Sequence, residues 1–341
     1  MGCSILAVSG ILLAGCSQGG TATGQGGSAA RPSTSPPKPA PALAPAEAKR
    51  TVVRWVAAFN ARAKRNDVRG VAKLESGNLL EEHRTVLKLF QREKNHFLPL
   101  RATSDITIPK FTGWPKWFTA TLTSKGYEST PDRLVFVQSA QGAPWQASMD
   151  LVLFTSTIKA LGARAKPPLI TEVVPAGDTS LLVAPGQLPG VHADVRLNGT
   201  KSRYARLFHT GKSTRGATTG NAHTAVKNTR YYFRFVGWSG RTAIKPARQV
   251  PYALRTRSGG ALVFYAVEQV DAYKRVRGSQ EHVWEGPYGT NVYPVLIGKE
   301  AAENRITRMS RTSYVAYVPP KGGGKVVIIG SLWSTVSAKG S

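Results

Sequence analysis

Hydrophobic residues recur along this chain with two periods, and the change from one to the other divides it. Val52, Val53, Val56, Phe59 and Ala63 recur at helical spacing, with Arg54, Arg62 and Lys64 between them. That is the pattern of a helix with one buried face, and Trp55 adds an apolar anchor beside it. A short second helix is expected near 71–74 and a third over 80–94, with Val86, Leu87 and Phe90 on its buried side. Pro109, Gly113 and Pro115 then punctuate the chain. Segments 117–122, 133–138 and 146–153 read as strands from their apolar and β-branched content. Between the last two, residues 140–144 form a turn in which Gly142 can take a positive φ and Pro144 a turn or edge position.

The second half reads as sheet-rich. Short apolar pieces at 169–174 and 181–183 sit among Pro167, Pro168, Pro175, Pro185 and Pro189 and suit pairing with a sheet edge. A short helix is expected over 187–197 and an exposed polar loop over 210–229. Residues 231–238 are aromatic and β-branched and read as a strand. A hairpin joins 252–257 to 261–267 around Gly259-Gly260, and another joins 314–318 to 326–330.

The fold class expected is α+β, with two domains that each pack helices on a curved antiparallel sheet. The boundaries fall at 47–160 and 187–338, with a packed linker over 161–186. The order of helices then strands, with the strand pair ending in Pro144-Trp145-Gln146, resembles the NTF2-like (cystatin-like) cone over about a third of the chain. That resemblance implies a space between helix and sheet that can hold a small ligand. Trp117, Phe118, Phe136 and Trp145 are the candidates to line such a pocket or to fill it as core.

The N-terminus carries a different signal. Ile5–Ala14 is apolar but broken by Ser9 and Gly10. It is too short to cross a bilayer core of about 30 Å, and it fits the apolar part of an export signal. It ends in Leu12-Leu13-Ala14-Gly15-Cys16, which resembles the lipobox of bacterial lipoproteins. The resemblance implies cleavage after residue 15, acylation of Cys16 and residence on the outer face of the cell membrane. Residues 16–46, rich in Gly, Ser, Thr, Ala and Pro, read as a disordered stalk. The only other cysteine is Cys3, so processing leaves no thiol for a disulfide, a nucleophile or a metal. With the Trp145 hairpin, the Gly259-Gly260 hairpin and the C-terminal strand pair, the whole arrangement resembles the two-domain secreted lipoproteins of actinobacteria.

Catalytic chemistry finds little support. Gly211-Lys212-Ser213-Thr214 looks like the tail of a phosphate-binding loop, but Arg206 stands where that loop needs its first glycine. His83, His96, His192, His209, His223 and His282 show no metal-ligand spacing. Glu82-His83 reads as a fragment of helix surface, and His192 with Asp194 supplies too few donors. Asp150 alternates away from Met149 and Leu151 and is expected to face solvent. Glu281 and Glu285 flank Trp284 ahead of Gly286-Pro287, an aromatic loop rather than an acid/base pair. The reading is therefore a non-enzymatic protein with no catalytic residue, no metal and no cofactor.

Charge points to partners. Lys and Arg number 46 against 19 Asp and Glu. The excess is steepest from residue 196 onward, 24 against 6, while residues 46–160 hold 18 against 10. Such an imbalance predicts attraction to polyanions. For an exported chain these are anionic phospholipid or cell-wall polymer, with an envelope protein as a further partner, rather than nucleic acid. The candidate contacts are Arg203, Arg206, Lys212, Arg215, Arg234, Arg241, Lys274, Arg275 and Arg277. Small-ligand binding in the NTF2-like pocket is the alternative function.

Overall fold

The computed structural model describes residues 38–211, 214, 238–276, 282–283, 292–298 and 301–341. Residues 38–341 form one compact unit. In chain order its elements are β1 (Ala40–Pro41), α1 (Pro45–Ala63), α2 (Val68–Val71), α3 (Gly77–Glu93), β2 (Leu100–Phe111), β3 (Lys116–Ser124), β4 (Asp132–Gln138), β5 (Gln146–Leu153) and α4 (Thr155–Leu161). There follow β6 (Ile170–Glu172), α5 (Leu188–Asn198), β7 (Trp238–Pro246), β8 (Tyr252–Arg255), β9 (Ala261–Arg275), β10 (His282–Val283), α6 (Val292–Ile297), β11 (Ala301–Ala302), β12 (Arg305–Val318) and β13 (Val327–Gly340). The α+β class stands.

One sheet runs through both parts of the chain, in the order β1-β2-β3-β4-β5-β13-β12-β9-β7, with β6 beside β2 and β8 beside β9. Pairing is antiparallel except at β6, which runs parallel to β2. The join is narrow. Gly330 and Ser331 of β13 pair with Leu153 and Val152 of β5.

Strand alternation sends successive side chains to opposite faces, and this creates three cores. Phe118, Ala120 and Leu122 of β3 and Leu134 and Phe136 of β4 face Val52, Trp55, Val56 and Phe59 of α1. The opposite face of β3, β4 and β5 carries Trp117, Val135, Met149 and Leu151, which pack against Leu262, Phe264, Val315 and Tyr317. The sheet thus folds back on itself. The outer face of its second part carries Val263, Tyr265, Tyr314 and Ala316, covered by α5 and by Val174, Leu181 and Phe208.

Gly330 holds the join. A Cβ there would sit 2.8 Å from the Val152 carbonyl oxygen and 2.9 Å from Val315 Cγ1, so neither β5 nor β12 leaves room. Gly330→Ala is expected to cost about 1–3 kcal/mol, the usual penalty of overpacking. Urea unfolding followed by tryptophan fluorescence will show it as a lower midpoint with an unchanged slope.

The structure revises several expectations. Val53 is 49% exposed, while Thr51 and Ala48 take inward positions on α1. The doublet Val52-Val53 hides the true stripe, because adjacent helical residues lie 100° apart. Residues 40–45, read from composition as stalk, belong to the fold: Ala40 and Pro41 pair with Phe111 and Lys110, and Ala42 and Leu43 are buried. Strand β2 was not expected, since Pro109 lies inside it. Pro109 lies beyond the end of the β3 pairing, between β1 and β6, where its carbonyl still accepts from the Ala42 amide at 2.9 Å and the neighbouring Ile108 amide donates to the Leu169 carbonyl at 2.7 Å. Strands β9, β12 and β13 run well beyond the predicted hairpins because long polar stretches pair in register, Arg305 with Lys274 through to Val318 with Ala261. Residues 231–237 of the strand predicted over 231–238, and most of the polar loop at 210–229, lie outside the described residues. The described strand in that region, β7, starts at Trp238.

Candidate functional site

The polar centre of the molecule lies beneath α3. On a helix, positions i, i+3, i+4, i+7 and i+8 share a face. Starting from Leu79 these are Glu82, His83, Val86 and Leu87, so packing of the apolar stripe carries a carboxylate and an imidazole inward. Leu79, Glu82, His83 and Leu87 are all buried. Asp132 and Asp150 come to the same place from the sheet. Asp150 pairs with Leu134 in register, and Leu134 faces the helices.

His83 Nδ1 lies 2.7 Å from Oε1 of the fully buried Glu75, and the imidazole packs against the rings of Phe59 and Phe97 at 5.4 and 4.9 Å. Both Glu82 oxygens, Glu75 Oε2 and Asp150 Oδ1 are buried with no hydrogen-bond partner among the described residues. A buried, unpaired carboxylate holds its proton to escape the desolvation cost. Burial accordingly raises Glu82 to about 8. Burial, with Asp132 adding to it, raises Asp150 to about 8, and burial raises Asp132 to about 6. For His83, burial disfavours the charged form, but the charge and hydrogen bond of Glu75 outweigh it and its pKa is raised.

A groove of about 360 Å³ opens beside this cluster, where the start of α3 meets the β7–β8 connection. Gly77 opens α3 at a positive φ of 56°. A Cβ there would meet Ser148 Oγ at 2.7 Å and Gln249 Oε1 at 3.3 Å, so only glycine allows this approach. The N-cap Ser76 makes no side-chain capping bond, and no acidic residue stands in the first turn. The positive end of the helix dipole is left uncompensated there. Gln249 Nε2 donates to Ser148 Oγ at 3.0 Å and to Tyr252 Oη at 3.2 Å. Its Oε1, the buried Asn78 Nδ2 and the buried Arg311 Nε have no partner among the described residues. Arg311 donates through Nη1 to Glu81 at 2.5 Å and through Nη2 to the buried Glu268 at 3.0 Å. Arg248 is exposed at the rim. Glu81 also lines the groove and, with Glu268, pairs with Arg311; the helix N-terminus, the Asn78 amide and the exposed Arg248 are the groups suited to an anionic partner.

Comparison with known proteins places this chain. The model of a family described as a domain of unknown function, DUF8094, matches residues 39–340. The chain belongs to the DUF8094 family. It is 26% identical over 313 residues to an uncharacterized lipoprotein of Streptomyces avermitilis, an alignment covering 88% of this chain and 87% of that one. It is also 26% identical over 255 residues to an uncharacterized lipoprotein of Streptomyces coelicolor, covering 70% of each. No solved structure matches.

Within this DUF8094 domain, several sequence readings are corrected. Glu82-His83 is not helix surface but buried. Asp150 does alternate away from Met149 and Leu151, yet the face it reaches is covered by α3 rather than solvent. His192 and Asp194 diverge: His192 Nδ1 lies 2.7 Å from Tyr265 Oη in a buried aromatic cluster, while Asp194 accepts from Asn198 and Ser202. Among the described residues no group of three or more His, Cys, Asp or Glu is arranged to hold a metal.

Of the aromatic candidates, Phe118 stacks on Phe136 at 5.0 Å and meets Trp145 edge-on at 5.0 Å. Trp55 meets Phe136 at 5.5 Å, so the space between α1 and the sheet is filled. Trp117 lies on the other face, 5.1 Å from Tyr252. Among the basic candidates, Arg203 stacks over Tyr204 at 4.6 Å. Arg206, Arg241 and Lys274 are exposed and Arg275 is half-buried. Lys212, Arg215, Arg234 and Arg277 lie outside the described residues, as do Cys16, Glu281, Trp284 and Glu285. Sequence reading missed Glu75, Asn78, Gln249 and Arg311. The stripe through Leu79 and Leu87 was the available signal for Glu82 and His83. Nothing local marks Gln249 or Arg311, which arrive from the β7–β8 connection and from β12.

Proposed function

We propose that this protein is a lipid-anchored envelope protein that works by non-enzymatic binding of an anionic envelope component, an acidic protein or a wall polymer. The carrying observation is the groove at the uncapped start of α3, where Asn78, Arg248 and Arg311 converge. Anchoring through Cys16 is supported by the lipobox pattern and by the lipoprotein names of the two Streptomyces relatives. No helix among the described residues is long and apolar enough to cross a membrane. Binding rather than catalysis is supported by the position of the titratable groups. His83 and Glu82 on the inner face of α3, and Glu75 beside them, are buried rather than presented in the groove.

The second reading, binding of a small ligand, is favoured by the same groove and not by the NTF2-like space, which Trp55, Phe59, Phe118 and Phe136 occupy. The test is co-sedimentation of residues 17–341 with isolated cell wall across a salt series. Binding is expected to fall steeply with salt, and Arg248→Gln is expected to lower the bound fraction severalfold. Negligible binding at low salt, or binding indifferent to both salt and Arg248, would overturn the anionic reading and direct attention to uncharged small ligands.

A further inference from the structure

The first helix carries a second surface, distinct from the groove. Its inward stripe is Ala48, Val52, Trp55, Val56 and Phe59. Its outward face holds Lys49, Val53, Ala57 and Ala61 on one line of i, i+4 neighbours, flanked by Arg50 and Arg54 and continued by Lys64 and Arg65; all are exposed. The centre of this face is small and apolar and its borders are cationic. Glu47, in the first turn, is the one acidic residue on it. Val53 is 49% exposed although it sits in the middle of a well-packed helix. Nothing in the packing of α1 requires a valine flanked by cations at that position.

The place of this helix in the chain says what lies opposite. Among the described residues β1 and α1 come first, and Ala40 follows Cys16 by 24 positions. A fully extended chain of that length reaches about 80 Å, and a Gly- and Ser-rich one has an end-to-end distance of about 30 Å. A chain acylated at Cys16 therefore holds α1 within about 80 Å of the bilayer at most and about 30 Å on average. Each Lys or Arg brought to an anionic lipid surface adds favourable energy that fades within a Debye length, and apolar side chains between cations suit the headgroup boundary better than a hydrated polymer.

From this we infer that the outward face of α1 docks on an anionic phospholipid bilayer, so that the protein lies against the membrane that anchors it. The inference rests on the lipid-anchored reading for its biological setting, but its test does not need the anchor. Residues 17–341 retain the whole folded unit and carry no acyl group. They are to be co-sedimented with phosphatidylcholine vesicles and with vesicles of about one-third phosphatidylglycerol, a composition chosen for its negative surface potential. Binding only to the anionic vesicles is expected. The variant Lys49→Gln/Arg50→Gln/Arg54→Gln should bind them about a hundredfold more weakly, and Val53→Ser severalfold more weakly. Arg206→Gln/Arg241→Gln, on the second part of the sheet, should bind as the parent does. These exposed substitutions leave the core of α1 intact, and circular dichroism confirms the fold of each variant. Equal binding by the triple variant, equal binding to neutral vesicles, or sedimentation with cell wall but not with vesicles would each overturn the inference. Loss of palmitate labelling at Cys16 would instead overturn the anchor reading and leave the vesicle result unaffected.

Discussion

Arg311→Met will destabilise the protein by about 3–5 kcal/mol, the cost of removing one partner from a buried ion pair. Arg311 sits on β12 and reaches Glu81 of α3 and Glu268 of β9 at 2.5 and 3.0 Å. Glu81 is half-exposed and will hydrate when released. Glu268 has a side chain 8% exposed, and its other partner is Lys245, 3.5 Å away and largely in solvent. Its charge is left in the interior with one weak partner, and that accounts for most of the loss. The double variant Arg311→Met/Glu268→Gln should recover a large part of it by removing the stranded charge. Denaturant midpoints of the two variants and the parent measure this. If the single variant loses less than about 1 kcal/mol, a threshold typical of exposed pairs, the ion pair does not fasten α3 to the far strands. Arg311 also lines the groove, so the same variant is expected to bind cell wall more weakly.

The protein will be more stable at pH 5.5 than at pH 8.5. Glu82 and Asp150 have folded-state values near 8, against about 4 in an unfolded chain. Below about 4 both states are protonated and their stabilising contribution is complete. As pH rises from there to about 8, the unfolded chain gives up these protons and the folded one retains them, so folding loses stability across that window. Asp132, raised to about 6, acts in the same sense over a narrower range. His83 does too: Glu75 lifts its folded value, so its contribution is present below about 6.5 and fades as pH passes the folded value. Asp178, held near 2 by the hydroxyl and amide of Ser180 and by Arg255, works in the opposite sense, and only as pH falls from about 4 towards 2. Thermal unfolding should therefore show a midpoint higher by at least roughly 5–10 °C at pH 5.5 than at pH 8.5, since Glu82 or Asp150 alone corresponds to about 3 kcal/mol over that interval. Glu82→Gln, which keeps the shape and cannot ionise, should flatten the slope by up to about 1.4 kcal/mol per pH unit, the effect of one proton. A flat profile in the parent would mean that the cluster is hydrated.

Both effects come from side chains that the sequence alone presents as ordinary surface. Glu81, Glu82 and His83 stand together in a charged stretch of helix, and Asp150 alternates outward on its strand. In each case the local period is right and the direction is readable. What covers that direction is not. Asp150 points away from one core and towards another because α3 crosses that face of the sheet. Arg311 looks like one more cation of an arginine-rich half until β12 extends far enough to bring it beneath α3.

The sequence by itself determined the elements whose residues carry their own instruction. The 3.6-residue stripe of α1, the alternation in β3, β4 and β5, and the glycine turn at 259–260 each follow from neighbours a few positions apart. It also determined the apolar segment ending at Cys16 and the excess of positive charge, which are local and compositional. Only the tertiary structure decided that β5 pairs with β13, that the sheet folds back to enclose a third core, and that four carboxyl groups and a histidine share one buried site. Those outcomes depend on contacts between residues as far apart as Glu81 and Arg311. Pairing over such separations is selected by the packing of whole faces and the exclusion of water between them, and no short window of sequence records it.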